Sequence, residues 1–213
     1  MLNTAPLIIH DTQDVETALS KIGLSRDIVV EIARSAAAAR AESLPVDPSG
    51  TPGTLSYIYG VRALRLNLLK HGWRENRQGN VESTVNDEVN VQLFFQNVDV
   101  ACNHFKNPRA ISRKGAASRS LVEAGQYELF DQTNDVFKDE VFGKVPTVWV
   151  VCVSVEGFSV RAEVSCPKIF EGCQFEDFHQ RIFVLDEEFE PTTDPHRDSD
   201  DGYEDFDVEI SKK

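Results

Sequence analysis

Residues 148–155, Val-Trp-Val-Val-Cys-Val-Ser-Val, are almost wholly apolar, and a strand with that pattern has to be covered on both faces. The run ends at Glu156-Gly157, a turn signal. Beyond it Val160, Ala162 and Val164 alternate with Arg161, Glu163 and Ser165. Period two on either side of a glycine turn predicts a β-hairpin, the clearest in the chain, with Arg161 and Glu163 in a polar row on the solvent side. Residues 181–185 supply a last strand. Upstream, Val89, Val91, Leu93 and Phe95 alternate with Asn90, Gln92, Phe94 and Gln96, which predicts a half-buried strand.

The N-terminal third has a different period. Thr12 can cap a helix over residues 13–22, Gly23 stops it, and Ser25 caps a second helix reaching about residue 42. In outline this pair resembles a helix-turn-helix, with Gly23 in the turn and Val29 and Ile32 packing inward. The residues facing a groove would be Ser25, Arg26, Asp27, Val30 and Glu31, and the two carboxylates among them repel phosphate. A plain helical hairpin is the simpler reading. Residues 44–53 hold Pro45, Pro48, Gly50, Pro52 and Gly53 and form a linker or ordered loop. A third helix fits residues 54–70, where Tyr57, Val61, Leu64 and Leu68 line one face, although Gly60 inside it weakens helix propensity. The order of helices followed by strands predicts an α+β fold, N-terminal helices packed with a mainly antiparallel or mixed β-sheet. One globular domain over residues 1–185, helical over 12–72 and sheet over 73–185, would precede an acidic tail, 186–213.

The tail carries twelve carboxylates against three basic residues, so it holds −9 of the net −13, and residues 1–185 are close to balanced. Pro, Ser, Thr and Gly among those charges give a composition that does not offset its own ordering entropy. Tyr203, Phe206, Val208 and Ile210 interrupt it and are candidate docking residues for a partner or for this protein's own surface. The opposite charge is concentrated in residues 104–119, where Lys106, Arg109, Arg113, Lys114 and Arg119 occur without a carboxylate. Ser112 to Ser118 precedes a short helix marked by the capping box Ser120-x-x-Glu123. Small residues ahead of a helix start can turn amides on an anion, so Lys106, Arg109, Arg113, Lys114, Ser118 and Arg119 are candidate phosphate-binding residues, with Arg74 and Arg77 as extensions.

No segment spells out an active site. The P-loop, the dinucleotide glycine fingerprint and the G-x-S-x-G elbow are all missing. A divalent-metal nuclease would draw on Glu88, Asp99 and Glu163, but Glu163 and Lys168 are five apart with Pro167 between them. Cys102, His104, Cys166 and Cys173 have zinc-compatible chemistry without zinc-knuckle spacing, so the cysteines are expected to be reduced thiols, with no metal and no cofactor. No apolar run is long enough to cross a bilayer, and residues 1–10 do not form a signal peptide, so a cytoplasmic protein without membrane association is expected. The resulting expectation is a non-enzymatic binding or regulatory protein working with nucleic acid or a nucleic-acid-binding protein, with a basic anion-binding loop and the acidic tail as an autoinhibitory or partner-docking segment. A nuclease and a structural subunit of a larger assembly are the alternatives.

Overall fold

A computed structural model of the chain describes residues 5–78, 81–112, 145–171 and 174–188. β1 (Leu7–Ile9) leads into three helices, α1 (Thr12–Lys21), α2 (Arg26–Ala41) and α3 (Thr51–Leu68), the last ending in a 3-10 turn over Leu69–His71. Six strands follow: β2 (Arg74–Gln78), β3 (Val81–Asn86), β4 (Val91–Asn97), β5 (Thr147–Glu156), β6 (Ser159–Glu171) and β7 (Gln174–Glu188). With β1 they form a seven-stranded sheet in the order β1-β7-β6-β5-β4-β3-β2. β1 pairs with β7 and β4 with β5 in parallel, and the other ladders are antiparallel. The fold is therefore α+β with a mixed sheet, and the 147–171 hairpin lies at its centre. No helix among the described residues is long and apolar enough to cross a membrane.

All three helices cover one face of the sheet. Val15, Leu19, Val29, Ile32, Leu64 and Leu68 close over Leu93, Phe95, Trp149, Val151, Val164 and Ile182 in one apolar cluster. The other face carries a second cluster, in which Phe94, Val148, Val150, Cys152, Phe175 and Phe178 meet Val98 and Ala101 from the segment after β4. This is why residues 148–155 are apolar without alternation.

Local boundaries depart from expectation for identifiable reasons. Thr12 is the first helical residue, and Asp11 occupies the cap position of α1. Ser25 caps α2, its hydroxyl accepting from the Ile28 amide at 3.4 Å, and Gly23 turns the chain at φ +73°. α3 starts three residues early because Pro52 stands in the first turn, where its missing N–H needs no partner. Gly60 is a close-approach position, since a Cβ there would overlap the Phe95 ring on β4. β4 is buried on both sides rather than one, while Val89 lies outside it and is exposed. β6 continues through Pro167, where register shifts on either side remove the demand for a regular ladder bond. β7 begins at Gln174 and runs to Glu188, so Asp186, Glu187 and Glu188 are strand residues rather than tail.

Of the residues that would face a groove in a helix-turn-helix, only Val30 is drawn into the core. α2 packs along α3 and the sheet, and Val29, Val30, Ile32, Ala33, Ala36 and Ala39 are all buried.

Candidate functional site

Residues 98–112 form a closed loop across the second face. Its ends meet through the Asp99 amide donating to the Arg109 carbonyl at 2.9 Å and the Ile111 amide to the Asn97 carbonyl at 3.0 Å. Asp99 organises the interior: its carboxylate accepts from the Arg109 and Val100 amides at 2.9 and 2.8 Å and pairs with Lys106 at 2.8 Å. Partial burial alone would raise this carboxyl, but the Lys106 ammonium and the two amides outweigh it and hold Asp99 below the usual carboxylate range.

Beneath the loop lies a fully buried ion pair. Glu163 on β6 and Arg181 on β7 are 0% and 1% exposed. The guanidinium donates in two parallel bonds, Nε to Oε1 at 2.8 Å and Nη2 to Oε2 at 2.7 Å. Ser165 Oγ donates to Oε1 at 2.7 Å and the Cys102 amide to Oε2 at 2.6 Å, so each carboxylate oxygen accepts two bonds. Arg181 Nη1 turns upward to the Asn103 and Lys106 carbonyls at 2.9 and 3.2 Å. The pair thus holds the loop to the sheet. Cys102 takes a left-handed φ of +56° and its thiol donates to the Ala162 and Leu185 carbonyls. Burial, then the neighbouring Glu163 and Asp186 charges, push that thiol up to about 12, so it stays protonated.

This geometry corrects two readings. Glu163 is not in a solvent-side row with Arg161; Arg161 pairs with Asp186 at 2.7 Å, whereas Glu163 is sealed under the loop. Nor are Glu88, Asp99 and Glu163 arranged as a nuclease centre. Glu88 precedes β4 and Asp99 follows it, about 20 Å apart along a seven-residue strand. Glu163 has no lone pair left for a metal, and among the described residues no three His, Cys, Asp or Glu side chains are grouped to hold one.

Among the described residues the candidate phosphate-binding cations divide into two groups, each paired with carboxylates. Arg74 and Arg77 stand on β2 at the sheet edge, where Arg74 binds Asp87 bidentately at 2.8 and 2.9 Å and keeps that carboxyl low. Arg77 pairs with Glu82 and Glu75, and Arg65 on α3 joins the same two carboxylates. Lys106 pairs with Asp99 in the loop and Arg109 with Glu176 on β7 at 3.1 Å. Five strand spacings, roughly 24 Å, separate β2 from β7. Arg113, Lys114, Ser118 and Arg119, the capping box at Ser120, and Tyr203, Phe206, Val208 and Ile210 lie outside the described residues.

A surface not expected from the sequence lies at the β5–β6 turn. The C-terminal half of α2 presents Ala37, Ala38 and Ala41 to the β5–β6 hairpin, leaving an open groove of about 600 Å³ between them. Val155, Val160 and the 62% exposed Phe158 form its sheet side, and Arg34 and Arg40 contribute its charged groups. The one cue in the sequence is the alanine run 36–39, which sets a shallow floor but does not say what faces it. Comparison of the chain with protein-family models, curated proteins and solved structures found no match.

Proposed function

We propose that the chain is a non-enzymatic binding protein that engages a cationic, nucleic-acid-binding partner through its acidic C-terminal segment and does not itself read nucleic acid through the basic loop. The observation that carries this reading is the pairing of Arg74, Arg77, Lys106 and Arg109 with carboxylates of the same body. An anion arriving at any of them has to displace a partner already in place. Asp186 and Glu187 are likewise engaged, with Arg161 and Arg34. Beyond them, residues 188–213 hold ten carboxylates against three basic residues, a closely spaced acidic run that suits a basic surface as a phosphate row does.

The test uses the full chain and two labelled probes, an arginine-rich peptide and a DNA duplex. The peptide is expected to bind, with log affinity falling linearly in log salt between about 50 and 200 mM. Neutralising Asp198, Asp200, Asp201, Glu204, Asp205 and Asp207 as Asn or Gln should weaken capture at least ~10-fold. Equal peptide binding by the neutralised chain, or duplex binding that depends on Arg74 and Arg109, would overturn the proposal.

A further inference from the structure

The groove between α2 and the β5–β6 hairpin has the shape and chemistry of a docking site, and the covalent path of the chain favours one occupant. β7 ends opposite the start of β6, with Glu187 registered against Val160 and Glu188 against Ser159. Val160, Phe158 and Gly157 line the groove. The chain therefore leaves the sheet beside the groove, with residues 189–213 still to be accommodated. We propose that residues 203–210 of this same chain dock there, Phe206 and Tyr203 filling the space over Ala38 and their flanking carboxylates meeting Arg40. This rests on the reading that the acidic segment is a working surface, and adds where it rests when no partner is bound.

Three observations converge on that occupant. Charge complementarity is the first: residues 189–213 carry nine carboxylates against three basic residues, and Arg40 lines the groove beside Arg34, which is already paired. One strand carboxylate, Glu187, already reaches Arg34 at 2.9 Å. Size is the second. Alanines on the helix side leave room for an aromatic ring, while Phe158, Val155 and Val160 offer it an apolar wall. Reach is the third. Tyr203 follows Glu188 by fifteen residues, a span whose typical coil dimension is roughly 20 Å, enough to turn back onto the adjoining groove. A tether of that length presents the segment at an effective concentration on the order of millimolar, so even a weak site is occupied.

The experiment is amide NMR on the full chain. Phe206→Ala is expected to shift amides of residues 37–41 and 155–160 while leaving those of β2 and β3 in place. In the reciprocal direction, Ala38→Glu and Phe158→Ser, both at exposed positions, should shift the amides of residues 203–210 and lower their heteronuclear NOE. Tail amides indifferent to both groove substitutions would overturn the proposal. So would tail shifts in the unmodified protein that vary with protein concentration, which assign the groove to the tail of a second copy. The Ala38→Glu chain also separates this inference from the function above. If its released tail captures the arginine-rich peptide several-fold more tightly, docking competes with the partner and both readings stand. If the tail is released but no peptide is captured, docking stands and the partner assignment fails. If peptide is captured while tail amides ignore the groove, the reverse holds.

Discussion

At the scale of single residues the molecule is governed by Glu163 and Arg181. A carboxylate and a guanidinium this deeply buried are tolerated only when paired and hydrogen-bonded throughout, and here each carboxylate oxygen accepts two bonds. Glu163→Gln keeps the shape but leaves Arg181 as an uncompensated buried charge. It is expected to lower unfolding free energy by about 3–5 kcal/mol in urea titration. Replacing both partners by apolar residues of similar size should cost much less, because no buried charge remains. Equal losses in the single and double variants would show that packing, not charge, sets the cost. The pair left a trace in the sequence that alternation alone obscured. Arg181 opens the otherwise apolar stretch Arg181-Ile-Phe-Val-Leu185, and such an arginine needs an acid nearby. Glu163 between Ala162 and Val164 read as solvent-facing because period two says which residues share a face, not whether a loop covers that face.

Element by element, the strongly periodic segments were legible and the polar ones were not. The 147–171 hairpin, α2 with its Ser25 cap and the helical 51–68 segment follow from apolar spacing and capping chemistry. β2 escaped because Arg-Glu-Asn-Arg-Gln has no apolar residue; it is an edge strand held by its ladder to β3 and by ion pairs rather than by burial. β1 escaped because three residues are too few for any period, and its place beside β7 is a long-range pairing. Gly60 shows how a local penalty can be a tertiary requirement. Alanine would favour the helix by about 1 kcal/mol but would drive its methyl into the Phe95 ring, and overpacking costs typically about 1–3 kcal/mol. Gly60→Ala should therefore destabilise on balance. Combining it with Phe95→Leu should recover part of the loss, a non-additivity measurable in a double-mutant cycle by thermal unfolding. Strict additivity would place the two residues out of contact.

On the scale of the whole molecule, a sheet with helices on one face only would expose Val148, Val150, Phe175 and Phe178, and the 98–112 loop covers them instead. Irregular backbone in that position has to satisfy its own polar groups, which is the role of Asp99, Glu163 and Arg181 together. Glu163 and Arg181 hold the loop from below, whereas Asp99 holds it together internally and titrates within reach of experiment. Its folded carboxyl lies below the unfolded value of about 3.9, so the unfolded chain binds more protons as the medium acidifies. The stabilisation is thus fully present above about pH 3.9 and is lost as pH falls through the lower folded value. Protonation removes the Lys106 pair and weakens acceptance from the Arg109 and Val100 amides. The second layer should then loosen before the helix-covered face does, because Val15, Leu19 and Ile32 on that side are held by apolar burial without a titrating group among them. Hydrogen exchange of the Val100 and Arg109 amides, corrected for intrinsic rates, is expected to lose protection below about pH 4 while Val151 and Val164 remain protected. In Asp99→Asn the same amides should be less protected at neutral pH and show no further step on acidification. A step that survives in that variant would assign the acid response to another carboxylate and leave Asp99 without its role in closing the layer.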